Sequence, residues 1–117
     1  MRLIFDGHLD LAWSAVSMNG DLSEPIGLIR SREQGMTDQQ GRGNATVSLP
    51  TMREGGVMMC LPTVLARPRR DEQSYLREDM SYSTAEIAYT IGQAHLAYYR
   101  LLEQQGHLRM IGSASEL

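Results

Sequence analysis

Short apolar blocks alternate with polar segments along this chain, and the blocks predict strands and helices in turn. Residues 3–5 form a continuous apolar run, which is typical of a strand buried in a parallel sheet. Residues 57–62 form a second run, bounded by two glycines and a proline, and predict a second strand that is covered on both faces. The weaker run over residues 108–111 predicts a brief third strand.

Helical spacing appears between these runs. Residues 11–18 predict a short helix with Trp13 and Val16 on its inner face, and Pro25 predicts the first turn of a second helix. A connection rich in glycine and amide side chains follows over residues 35–46. One more helical turn is predicted just before the two glycines that precede the second strand.

The longest helix is predicted to begin near Ser83, because Ser83 and Glu86 occupy the two positions of a capping box, and Gly106 is a natural stop for it. Six apolar residues share one stripe at helical spacing: Ile87, Ile91, Ala94, Tyr98, Leu101 and Leu102. His95 lies beside this stripe and His107 lies just past the helix. We interpret both histidines as structural or solvent-facing residues rather than metal ligands.

The order of these elements favours an α/β protein in which parallel strands alternate with helices. A length of 117 residues and a hydrophobic content of 42% suit one domain. Ser113 and Glu116 repeat the capping-box spacing and predict another helix start. We therefore expect residues 1–117 to be a single, incomplete α/β domain of a longer protein.

Net charge and amino-acid composition limit the binding partners and the cellular compartments that are expected for this chain. The net charge is −3, and the segment Arg67-Pro68-Arg69-Arg70 runs into two acidic residues as in a solvated turn, so no nucleic-acid partner is expected. No apolar stretch reaches the ~20 residues that span a bilayer, so no transmembrane segment is expected. The apolar run after Arg2 is too short for a signal peptide, and cytoplasm and periplasm both stay open. Cys60, the single cysteine, is expected to be a small buried hydrophobe.

Candidate chemistry follows the first apolar run. His8 and Asp10 stand two residues apart, and residues at that spacing in a strand share a face. Both side chains are therefore predicted to lie together at the carboxyl end of the strand. An imidazole and a carboxylate are good ligands for Zn²⁺ or a similar divalent ion. From spacing alone, the alternative that the pair only caps the strand stays open.

Two segments carry a resemblance to a known family. Residues 5–13 read Phe-Asp-Gly-His-Leu-Asp-Leu-Ala-Trp, and residues 49–57 read Leu-Pro-Thr-Met-Arg-Glu-Gly-Gly-Val. They resemble the Asp-Gly-His-x-Asp-Leu-Pro-Trp opening and the Leu-x-x-Leu-Arg-x-Gly-x-Val landmark of the membrane (renal) dipeptidase family of zinc metallopeptidases. Ala12 replaces the family's proline, and residues 58–61 depart from its Gly-Gly-Gln-Phe, which indicates a divergent bacterial branch.

The resemblance implies the N-terminal portion of a (β/α)8 TIM-type barrel that holds two zinc ions and hydrolyses dipeptides with a metal-activated hydroxide. By resemblance, His8 and Asp10 would ligate one zinc ion. Asp6 would orient a ligand or serve only as a strand-end hydrogen-bond partner. The other ligands are expected after Leu117, so no catalytic residue is expected within this chain. The implied partners are a dipeptide substrate and either the missing part of the barrel or a second copy.

Two other functions remain alternatives. Other metal-dependent amidohydrolases, such as deacetylases and deaminases, usually carry His-x-His on the first strand, and Asp10 in the second position favours the dipeptidase. The remaining alternative is a non-catalytic α/β piece that packs with a partner, because two or three strands leave unpaired edges and an uncovered sheet face.

Overall fold

The computed structural model describes residues 2–69 and 80–117. In chain order the elements are β1 (Ile4–Leu9), α1 (Leu11–Met18), α2 (Ile26–Glu33), α3 (Leu49–Glu54), β2 (Val57–Pro62), β3 (Arg67–Pro68), β4 (Ser81–Tyr82) and α4 (Ala85–Gln104). The chain is mixed α/β, and both strand pairs, β1 with β2 and β3 with β4, are parallel. The predicted bounds of α1 and β2 are confirmed.

Gly56 allows β2 to start beside β1. Its φ of 77° lies in the left-handed region, and a Cβ added there would stand 2.6 Å from the carbonyl oxygen of Arg2. The backbone carbonyl of Gly56 also accepts a hydrogen bond from the N–H of Ile4 at 2.9 Å. A residue without a side chain is required at this point because the two backbones approach so closely. The parallel register then places Ile4 opposite Val57 and Leu9 opposite Pro62.

The starts of α3 and α4 are each fixed by a hydroxyl side chain that caps the helix. The hydroxyl of Ser48 caps α3 by accepting a hydrogen bond from the N–H of Thr51 at 3.4 Å. The cap of α4 is Thr84, whose hydroxyl accepts from the N–H of Ile87 at 3.3 Å. The predicted capping box starting at Ser83 is therefore wrong by one residue, because Thr84 has the extended backbone of a capping residue and carries an equally suitable hydroxyl.

The core lies between the helices. Its buried cluster consists of Leu11, Ala12, Ala15, Leu22, Ile29, Leu49, Tyr99 and Leu102. Trp13 and Val16 are only half-buried, so the predicted inner face of α1 is wrong. The buried side of α4 is formed by Ile91, His95, Tyr99 and Leu102. The predicted stripe is thus wrong at the exposed residues Ile87, Ala94 and Leu101, because it ranked positions by hydrophobicity and left out the two polar-tipped residues that α4 buries. Tyr98 is partly buried and packs against the core.

The strands are less covered than the sequence predicts. Leu3 and Phe5 are 57% and 59% exposed, and Met58 and Leu61 are 66% and 56% exposed. The expectation of buried strands is wrong, since β1 and β2 pair only with each other among the described residues. The predicted strand at residues 108–111 is also wrong. There the N–H of Met110 donates to the carboxylate of Glu103 at 2.8 Å.

Three further predictions concern the C-terminal cap, the basic segment over residues 67–70 and membrane-spanning helices. The C-terminal Ser113–Glu116 cap is confirmed: the N–H of Ser113 donates to Oε2 of Glu116 at 3.0 Å at the start of a short 3₁₀ turn. Of the predicted basic turn, Arg67 lies in β3, whereas residues 70–72 lie outside the described residues. Within the described ranges, none of the helices is long and apolar enough to cross a bilayer.

Candidate metal centre

The carboxyl ends of β1 and β2 bring the candidate residues together. His8 is the fifth residue of β1, and Asp10 follows the strand directly and precedes α1. Thr63 follows the last residue of β2, and its backbone N–H donates to the carbonyl of Leu9 at 2.9 Å. The parallel pairing therefore continues one residue beyond β2 and holds the two strand ends side by side.

The side chains of His8 and Asp10 lie next to each other. Nε2 of His8 and Oδ1 of Asp10 are 3.4 Å apart, and the two side chains are 73% and 39% exposed. The structure thus places them together at the end of β1, as their spacing in the sequence predicts. Their role as metal ligands stays a prediction.

The 3.4 Å distance between Nε2 of His8 and Oδ1 of Asp10 can be compared with the distances typical of hydrogen bonds and of neighbouring metal ligands. It exceeds the ~2.7–2.9 Å of a charge-assisted N–H···O hydrogen bond. Two ligands of a tetrahedral zinc ion, each about 2.0–2.2 Å from it, are about 3.3–3.6 Å apart. The donor atoms of His8 and Asp10 therefore have a separation that also suits neighbouring ligands around one ion, and both side chains are partly or largely exposed to solvent.

Asp10 has a second contact, which the sequence analysis missed. The hydroxyl of Thr63 donates a hydrogen bond to Oδ1 of Asp10, the same oxygen that faces His8. A threonine after an apolar strand carries no signal of this role, since 53 residues separate the two partners. The hydroxyl occupies one lone pair of Oδ1, which leaves another lone pair and the whole of Oδ2 available.

Asp6 acts on the backbone of His8. Its Oδ1 accepts a hydrogen bond from the backbone N–H of His8 at 2.9 Å. It therefore steadies the chain at the candidate ligand, while a role in orienting the bound ligand stays a prediction. Asp6 also lies near Cys60, where burial first and the charge of Asp6 second raise the pKa of the thiol. Cys60 is half-buried rather than fully buried.

His95, a residue of α4, holds the backbone of the segment that follows β2. It is fully buried, and its Nδ1 accepts a hydrogen bond from the backbone N–H of Leu65 at 3.2 Å. Its Nε2 is buried and has no partner among the described residues. Burial lowers the pKa of His95, and the negative charge of Asp10 opposes that shift. This contact with the backbone agrees with the structural role that the sequence favours for His95.

Trp13 lies three residues beyond Asp10. It is half-buried, and the guanidinium of Arg67 stands 5.4 Å from the centre of its ring, within the range of a cation–π contact. Its Nε1 is buried without a partner among the described residues. Trp13 therefore links the start of α1 to the segment that follows β2.

If His8 and Asp10 bind a metal, they would fill two positions of a tetrahedral ion. Within residues 2–69 and 80–117, no group of three or more His, Cys, Asp or Glu side chains is arranged to hold a metal. Water or further protein groups must supply the other positions, so these described residues alone would hold zinc weakly.

Comparisons with protein-family models, with curated proteins and with solved structures find no match to this chain.

Proposed function

We propose that this chain is the N-terminal part of a metal-dependent dipeptidase in which His8 and Asp10 bind one of two divalent cations, taken to be Zn²⁺. The 3.4 Å separation of their donor atoms carries the proposal. Their location supports it, because (β/α)8 barrels keep catalytic groups at the carboxyl ends of their strands. The segments 5–13 and 49–57 supply the substrate class by resemblance.

His8, Asp10 and Asp6 have different roles in the proposed metal centre. Activation of water and polarisation of the substrate carbonyl are the chemistry that bound cations supply. His8 contributes a neutral nitrogen ligand, and Asp10 contributes a carboxylate oxygen whose charge offsets part of the charge of the cation. Asp6 holds the backbone at His8 through its 2.9 Å hydrogen bond. The remaining ligands are proposed to follow residue 117.

Zinc titration tests the metal centre. We expect Zn²⁺ to shift the NMR signals of residues 8–10 in a saturable manner, and we expect His8→Ala and Asp10→Asn each to abolish that response. His107→Ala is the matched control, because it removes a histidine that is not part of the centre. A response that survives both substitutions at the centre contradicts the proposal.

Dipeptide hydrolysis tests the reaction. We expect a chain shown by mass spectrometry to end at Leu117 to have no metal-dependent turnover, because it holds half of one ligand set. The product of a longer reading frame is expected to hydrolyse dipeptides when loaded with zinc and to lose that activity with His8→Ala. Turnover of N-acetylated amino acids in place of dipeptides would favour another amidohydrolase.

Exposed apolar residues on the strands favour a second candidate, a non-catalytic interaction segment. Phe5 and Met58 are both more than half exposed on a pair of strands that, in the part of the chain described, has no third member. Such surfaces associate in water. Sedimentation at several concentrations tests this: association without any zinc response at residues 8–10 would favour the interaction segment over the dipeptidase.

A further inference from the structure

Thr63 is the residue through which the second strand reaches the candidate metal centre. Its hydroxyl donates to Oδ1 of Asp10, and that oxygen faces Nε2 of His8 at 3.4 Å. A carboxylate on a half-exposed side chain is otherwise free to rotate about its terminal bond. The hydroxyl therefore fixes which oxygen of Asp10 lies beside the imidazole.

The backbone of Thr63 is held on both sides. Its N–H donates to the carbonyl of Leu9 at 2.9 Å, and its carbonyl accepts a hydrogen bond from the Tyr99 hydroxyl at 2.7 Å. Strand β1 and helix α4 thus determine the position of Thr63 together. With the backbone held in this way, the hydroxyl can change its position only by rotation about the Cα–Cβ bond, which has few preferred settings in a β-branched residue.

Helix α4 holds the same segment at a second point. Nδ1 of His95 accepts from the N–H of Leu65 at 3.2 Å, one helical turn before Tyr99. Residues 63 and 65 are therefore fixed from one side of α4 by two buried side chains. Because 36 residues separate Thr63 from Tyr99, this support is a product of the tertiary structure.

We propose that Thr63 is a positioning residue for the divalent cation, holding the Asp10 carboxylate in the orientation in which it and His8 bind one ion. The inference rests on the proposed function, since it needs His8 and Asp10 to be ligands. Partners that orient metal ligands in this way contribute about 10–100-fold to metal affinity. Thr63 itself does not touch the ion in this proposal.

Zinc titration of Thr63 variants, followed by NMR of residues 8–10, tests the inference. We expect Thr63→Val to weaken zinc binding by about tenfold, because valine keeps the shape and loses the donor. Thr63→Ser keeps the hydroxyl and is expected to stay within about twofold of wild type. Thr90→Val is the control, since its hydroxyl donates to a carbonyl within α4 at 2.9 Å and is exposed.

A second readout separates positioning from general stability. In the metal-free protein, the carboxyl-carbon signal of Asp10 is expected to move in Thr63→Val and to stay in place in Thr63→Ser and Thr90→Val. A loss of stability alone would leave that signal unchanged in the folded protein. If Thr63→Val does not fold, Thr63→Ala replaces it, and its comparison with Thr63→Ser is judged by the same two measurements.

The outcomes distinguish this inference from the proposed function. If wild-type protein shows no zinc response at His8 and Asp10, the proposed function is overturned and the positioning role with it. If wild type binds zinc through these residues and Thr63→Val binds equally tightly, only the positioning role is overturned. Weaker binding by Thr63→Val, together with rescue by serine, supports both.

Discussion

The hydroxyl of Tyr99 joins α4 to the backbone of Ala12, although 87 residues separate them. It accepts a hydrogen bond from the N–H of Ala12 at 3.1 Å and donates to the carbonyl of Thr63 at 2.7 Å. Both α1 and the segment after β2 are thereby attached to one buried side chain. Since Ala12 and Thr63 follow the ends of β1 and β2, this hydroxyl supports the structure behind the candidate centre.

Tyr99→Phe removes both bonds and keeps the ring. The N–H of Ala12, on a residue with no solvent exposure, is then left without a partner. We expect a loss of about 2 kcal/mol in the free energy of unfolding, measured by urea denaturation. Tyr98→Phe is the matched control, because the Tyr98 hydroxyl has no hydrogen bond among the described residues. It is expected to change stability by less than about 0.5 kcal/mol. Equal losses in the two variants would contradict this role.

His95 predicts a loss of stability in mild acid. Burial holds its pKa below the usual value of 6.5, with the Asp10 charge opposing, so the folded protein binds a proton there less readily than the unfolded chain. The neutral form of His95 therefore contributes its full stabilisation of the folded protein above about pH 6.5, the usual histidine pKa. That contribution declines as the pH falls toward the lower pKa of His95 in the folded protein. Urea denaturation at pH 7.5, 6.5 and 5.5 measures this decline.

His95→Asn is the variant for that measurement. An asparagine oxygen can still accept the hydrogen bond from Leu65, but its amide does not titrate. We expect the variant to lose less stability than wild type between pH 7.5 and 5.5. His107→Asn keeps His95 and is expected to retain the wild-type decline. If His95→Asn declines as steeply as wild type, the acid sensitivity arises elsewhere.

Arg42 connects the loop over residues 35–46 to the end of α1 and to α2 through its side-chain hydrogen bonds. Its Nη1 donates to Oε1 of Glu33 at 2.9 Å and to the carbonyl of Met18 at 2.6 Å, and the side chains of the ion pair are 10% and 9% exposed. Arg42→Ala leaves the buried carboxylate without its charge partner, and we expect a loss of about 3 kcal/mol. Arg32→Ala removes a more exposed ion pair and is expected to cost less than about 1 kcal/mol by the same urea denaturation.

Gly56 and Gly27 form a matched pair of glycine positions. Gly56→Ala places a Cβ 2.6 Å from the carbonyl oxygen of Arg2 at a positive φ, and we expect a loss of at least about 2 kcal/mol. Gly27 lies in α2 with open space around it. There, alanine is expected to stabilise the protein by about 0.5–1 kcal/mol. Thermal unfolding of both variants checks the opposite signs.

Features that depend on near neighbours in the chain were predictable. The bounds of α1 and β2 follow from an apolar pattern closed by a turn residue, and the contact between His8 and Asp10 follows from their spacing. The cap of α4 was misplaced by one residue because Ser83 and Thr84 are chemically equivalent candidates. The apolar run of β1 did not predict how exposed the strand is, because such a run reports what a strand can bury and not whether another layer covers it. Only the small number of predicted strands pointed to an uncovered sheet face.

The sequence by itself determined the bounds of α1 and β2 and the proximity of His8 and Asp10, the pair that is proposed to bind a cation. Only the tertiary structure decided what supports that pair: Thr63 on Asp10, Tyr99 on Thr63, and His95 on Leu65. The reason is physical. Spacing along a strand or helix fixes the direction of neighbouring side chains, whereas a hydrogen bond between residues 30 or more positions apart depends on how whole elements pack.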